Sequence, residues 1–261
     1  MKLLFSNIIG SSGVDLLILH GFLGMGDNWK THAKSLVKIG YKVHLLDQRN
    51  HGRSFWDDTF NYSLMAEDIV NYCKYYNLKK VLALGHSMGG KILMHLACNY
   101  PEFIKAFVVA DIAPKSYKAS HQNILNGLSN LDFSKIKSRL LADQELSKYV
   151  QDSITRQFLL KNLYWASPGK LSLRINIDVL KYKNEIIGEG LKPDLYSTHK
   201  CLFIKGGNSD YILDRDQSLI KKHFPNAEQI LIPGVGHWLH TENPKIFFEI
   251  ISQWLGKLYK F

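Results

Sequence analysis

The chain is predicted to fold as an α/β protein, a mostly parallel, doubly wound sheet with a helical cap inserted before its last two strands. Three observations carry this expectation. Six short runs rich in Leu, Ile and Val recur along the sequence, and continuous apolar runs of that length suit strands buried on both faces of a parallel sheet. Amphipathic stretches at helical spacing lie between them, as crossover helices would. One long segment, 114–197, breaks the alternation.

The strand runs are 15–19, 42–46, 80–84, 106–110, 201–204 and 229–232. Helical patterns fall at 29–37, 65–76, 92–99 and 217–223. The last, 244–258, keeps Ile246, Phe247, Ile250, Ile251, Trp254 and Leu258 on one side. Residues 114–197 offer helical patterns only (124–131, 140–149, 154–163) and a polar loop at Ser167-Pro168-Gly169. The simplest organisation is a core made of 1–113 and 198–261, with 114–197 as a cap over the strand ends, where open sheets bind ligands.

Composition narrows the classes of function. With 261 residues, 46% hydrophobic and 21% charged, the chain is long enough for one large soluble domain. Its apolar runs are too short to span a bilayer. The first ten residues lack a hydrophobic signal region, so a cytoplasmic location and no membrane partner are expected. The net charge is +10, but the lysines are dispersed and cluster only in pairs such as Lys79-Lys80 and Lys221-Lys222. That pattern is a solvated surface, and no nucleic-acid partner is expected. Cys73, Cys98 and Cys201 are scattered small hydrophobes, neither a disulfide framework nor a metal site.

The chemistry-bearing stretch is Gly85-His86-Ser87-Met88-Gly89, a G-x-S-x-G sequence between a buried strand run and a helical pattern. That context defines a nucleophile elbow, with the serine on a strained strand-to-helix turn. A serine hydroxyl needs a base to take its proton and a third group to orient the base. His237 stands on the Gly-rich loop Pro233-Gly234-Val235-Gly236 after the last strand run and is the expected base. His240 is its nearest competitor. His20, His51 and His86 lie inside other motifs, and His121 and His199 lie outside any such loop. Two backbone N–H groups should bind the developing oxyanion: Met88, directly after the nucleophile, and Phe22, in the loop His20-Gly21-Phe22-Leu23-Gly24. For the acid, Asp111 ends the strand after the elbow helix, and Asp210 follows the next strand. Spacing does not choose between them.

Taken together these segments resemble the α/β-hydrolase superfamily, and within it the YbfF-type bacterial esterases and their mitochondrial relatives. The resemblance rests on residues 20–24, Asp47-Gln48-Arg49-Asn50-His51-Gly52-Arg53-Ser54, Gly85 to Lys91, Asp111-Ile112-Ala113-Pro114, Gly206-Gly207-Asn208-Ser209 and Gly236-His237-Trp238. Asn162-Leu163 and residues 174–178 are looser echoes within the cap. It implies carboxyl-ester or acyl-thioester hydrolysis through an acyl-serine intermediate, without a cofactor. It also points to Asp111 as the acid. Asp210 departs from the pattern of relatives and keeps the choice open, and Asp178 is a third candidate.

The expected function is therefore a serine hydrolase acting on a small-molecule ester or thioester, as a monomer or small homo-oligomer. Carbon–carbon bond hydrolysis and cofactor-free perhydrolysis are the alternative enzymatic readings. A ligand-binding protein that barely turns over is the third. Phe158, Leu159, Leu163, Tyr164 and Trp165 are the expected apolar wall of an acyl pocket or the core of the cap.

Overall fold

The computed structural model describes residues 2–118 and 121–258. Nine strands are present among them: β1 (Ser6–Ile9), β2 (Val14–Leu19), β3 (Tyr41–Leu46), β4 (Val81–His86), β5 (Ile104–Ala110), β6 (Leu163–Ser167), β7 (Lys170–Leu173), β8 (Lys200–Gly206) and β9 (Ala227–Ile232). The helices are α1 (Lys30–Val37), α2 (Tyr62–Tyr75), α3 (Met88–Asn99), α4 (Gln122–Ser129), α5 (Arg139–Ser147), α6 (Ser153–Leu160), α7 (Ile177–Tyr182), α8 (Asn184–Ile187), α9 (Gln217–His223), α10 (Leu239–Glu242) and α11 (Pro244–Leu258). No helix among the described residues is long and apolar enough to cross a membrane.

Seven strands form one sheet in the order β1-β3-β2-β4-β5-β8-β9. All neighbours are parallel except β1, which runs antiparallel on β3. The chain builds β3 on one side of β2 and then β4 on the other, so the strand order reverses between β2 and β4. Ligands bind beyond the carboxyl ends of strands at such a switch point. Alternate residues of the central strands serve opposite faces. Leu17, Leu19 and Ala83 join Met65, Ile69, Ile92 and Leu96 in the layer under α2 and α3. Leu16, Ile18, Leu82 and Leu84 pack with Trp29, Leu36, Phe247 and Trp254 from the α1 and α11 side. Each fully buried leucine contributes about 1.5–3 kcal/mol, so these central strands need apolar residues at every position.

Three strands depart from the sequence reading. The four residues of β1 are only half-buried on the sheet edge, so they carry no continuous apolar run. Within 114–197, β6 and β7 form a separate antiparallel hairpin where only helices were expected. Gly169 takes φ +74 at its turn, which a glycine tolerates at little cost. Helix α6 accordingly stops at Leu160, and Leu163 belongs to the hairpin.

Candidate active site

Five chain segments meet at the carboxyl edge of the sheet: the loops after β2, β4, β5, β8 and β9. Ser87, between β4 and α3, has φ 51 and ψ −115, a region costing of order 1–3 kcal/mol for a residue with a Cβ. Its N–H donates to the Ala110 carbonyl at 3.0 Å, and its carbonyl accepts from the Lys91 N–H. The flanking glycines are dictated by space. A Cβ on Gly85 would lie 2.3 Å from the Gly89 carbonyl oxygen, and one on Gly89 would lie 2.3 Å from that of Leu19. The turn therefore aims the first N–H groups of α3 at the space above Ser87, a partial positive charge in position for an anion.

His237 Nδ1 donates to Asp111 Oδ2 at 2.8 Å. Asp111 is fully buried and is satisfied from two further directions. The Gly206 N–H donates to its Oδ1 at 3.0 Å, and the Ser209 hydroxyl donates to Oδ2. Charge-assisted bonds of this kind compensate the burial of a carboxylate. With Nδ1 engaged, the free ring nitrogen of His237 is Nε2, and the ring lies flat against Tyr211, centroids 3.7 Å apart and 15° from parallel. Ser87 and His237 line the same cavity. Asp210 is exposed at the mouth of a neighbouring cavity, and Asp178 is exposed in the first turn of α7. Neither bonds to His237.

The remaining histidines separate by environment. His240 is buried and stacked on Trp29 at 4.2 Å. His86 donates from Nε2 to the His237 carbonyl at 2.9 Å, tying β4 to the loop after β9. Burial lowers the pKa of both, so they are neutral at pH 7. His199 pairs with Ser197 near the opposite end of β8. His121 lines both cavities beside Ser87 and lies 5.1 Å from Phe22. Its place at the site is not legible in the sequence, because it sits immediately before α4 with no motif around it.

The loop carrying Phe22 is braced by two neutral histidines. The Gln48 N–H donates to His20 Nε2 at 2.9 Å, so His20 Nδ1 holds the proton and gives it to the Gly21 carbonyl. The Leu23 N–H donates to His51 Nε2 at 3.2 Å, and His51 Nδ1 donates to the Arg49 carbonyl. The N–H groups of Phe22 and Met88 have no hydrogen-bond partner among the described residues. Burial lowers His20 to about 4 and His51 to about 3, from 6.5. The unfolded chain therefore takes up protons first. The stability these rings contribute is present above pH 6.5 and is lost as pH falls through 6.5 towards 4. At pH 5 the loss is roughly 2 kcal/mol for each ring. Thermal unfolding at pH 7.5 and 5.0 should show it, and His20→Gln should remove this one ring's share, roughly 2 kcal/mol at pH 5, from a shift to which the other buried histidines also contribute.

Two cavities meet at Ser87. One, of about 390 Å³, is walled by Tyr62, Met88, Ile112, Tyr117 and Ile187. The other, of about 270 Å³, is walled by Phe22, Ile124, Phe158, Leu159, His237 and Trp238. Phe158 and Leu159 thus face the site. Leu163 is core, whereas Trp165 is 53% exposed and lines neither cavity, so it forms no part of an acyl wall.

A strained serine ahead of a helix, beside a carboxylate-held histidine at the switch point of a parallel sheet, defines the α/β-hydrolase class. The chain belongs to that fold family, whose model matches residues 16–244. Within it the chain is a hydrolase of the esterase/lipase type. Esterase YbfF of Escherichia coli strain K12 is 32% identical over 244 residues, 92% of each chain. The sn-1-specific diacylglycerol lipase ABHD11 of Danio rerio is 34% identical over 251 residues, 92% of this chain and 78% of that one. The solved structure of a marine microorganism esterase superposes with a TM-score of 0.93 at 42% identity, covering 97% of this chain and 99% of that one.

Proposed function

We propose that the protein is a serine hydrolase that cleaves carboxyl esters or acyl thioesters through an acyl-serine intermediate, with Ser87 as nucleophile, His237 as base and Asp111 as the acid that orients it. The observation that carries this reading is the bond from His237 Nδ1 to Asp111 in a cavity that also exposes Ser87. His237 Nε2 takes the Ser87 proton as Oγ bonds to the substrate carbonyl carbon. The carbonyl π pair moves onto oxygen, where the Phe22 and Met88 N–H groups receive it. On collapse the bond to the leaving oxygen or sulfur breaks, and His237 returns the proton to that atom. Water then repeats the sequence and releases the acid.

The leaving group must lie beside His237, which assigns it to the smaller cavity, and the acyl chain then occupies the larger one. In this reading 114–197 is the cap: it supplies Tyr117, Ile187, Phe158 and Leu159 to the two walls and sets which substrates fit. A fluorophosphonate probe should label the folded protein stoichiometrically at Ser87 and leave Ser87→Ala unlabelled. Folded wild-type protein that resists the probe and hydrolyses none of a panel of esters, thioesters and vinylogous diketones would overturn the proposal. Turnover confined to the diketones would transfer it to carbon–carbon bond hydrolysis.

A further inference from the structure

We propose that Asn162, from the 114–197 segment, is a positioning residue that holds the oxyanion loop in its working shape; the inference rests on the serine-hydrolase reading above. Leu23 follows the Phe22 donor and has φ 60, the left-handed region, where an L-residue's Cβ crowds the backbone carbonyl. A buried leucine keeps that conformation only where its surroundings enforce it. Here both polar groups of Leu23 are held by side chains from elsewhere. Its N–H goes to His51 Nε2, and its carbonyl accepts from Asn162 Nδ2 at 2.8 Å, across 139 residues of sequence.

Asn162 is 1% exposed and is held through both its side-chain Nδ2 and its backbone. Its Nδ2 also donates to the Leu159 carbonyl at 3.0 Å, and its main-chain carbonyl accepts from the Arg174 N–H. The loop that carries His51 meets the same segment again. His51 bridges Ile175, and Asn176 bonds through backbone and side chain to Asn50. The oxyanion loop is thus the meeting point of two hydrogen-bonded routes from 114–197. Deleting the Asn162 bond strands the Leu23 carbonyl and lets φ relax. The peptides on either side of Phe22 then turn, and its N–H leaves the position a developing oxyanion requires.

The test is Asn162→Leu, which keeps the bulk and removes the donor. Loss of a whole oxyanion donor costs about 10²–10³-fold in kcat, so misplacing one should cost about 10–100-fold, with KM within twofold of wild type. Inhibition by an aliphatic trifluoromethyl ketone, whose hemiketal oxygen occupies the oxyanion position, should weaken by the same factor. Rates are expressed per site titrated by fluorophosphonate, so unfolded protein does not count. Asn162→Ser, too short to reach Leu23, is read in the same way if the leucine variant does not fold. Unchanged kcat per site, or a fall in kcat with undiminished ketone affinity, would show that Asn162 is only a packing residue. Wild-type protein that cannot be titrated would instead sink the parent reading.

Discussion

Replacing Ser87 by alanine is expected to lower kcat for p-nitrophenyl butyrate by about 10⁵–10⁶-fold while shifting the thermal unfolding midpoint by no more than a few degrees. The two halves of this result have separate causes. In the proposed mechanism, removing Oγ removes the atom that bonds the carbonyl carbon, and what survives is binding and oxyanion stabilisation of attack by water. Stability is spared because alanine meets the same positive φ as serine. The backbone bonds of Ser87 to Ala110 and Lys91 do not involve the side chain. Initial rates and a circular-dichroism melt on one preparation check both. A variant retaining a tenth of the activity would mean that another group attacks the substrate.

What the sequence made legible follows from how local each constraint is. The elbow could be read because two glycines and a serine between a buried run and a helix answer a steric demand within five residues. The Phe22 loop was legible for the same reason. Ser209 stands out in the sequence only as part of a motif, because its bond is to Asp111, 98 positions away. His20 and His51 lie in motifs that suggest local structure, yet each accepts an N–H from another loop, and those tautomers exist only in the assembled fold. The hairpin was hidden because Trp165, Ala166 and Ser167 are exposed on β6. β6 buries only Leu163, and β7 is four residues long with just two inward leucines, Leu171 and Leu173, an alternation too short to stand out in the sequence.

The choice of acid shows the same limit, and it sets the second large prediction. Asp111→Asn is expected to lower kcat by about 10⁴-fold, whereas Asp210→Asn should leave it within twofold. Both aspartates follow strands that precede His237, so sequence order treats them alike. The difference is geometric. Asp111 has φ 52, and its N–H donates to the Ile204 carbonyl in β8. Its carboxylate then lies between the Gly206 N–H, the Ser209 hydroxyl and His237 Nδ1. Asp210, one residue past Ser209, is exposed. An asparagine at 111 presents either an oxygen, which no longer carries the charge that stabilises the imidazolium, or an NH₂ that forces the proton onto Nε2. In the second case His237 can no longer accept from Ser87. The pH–rate profiles of both variants, measured beside wild type, separate these effects from unfolding. Activity lost in Asp210→Asn and kept in Asp111→Asn would require His237 to swing away from its present partner during turnover.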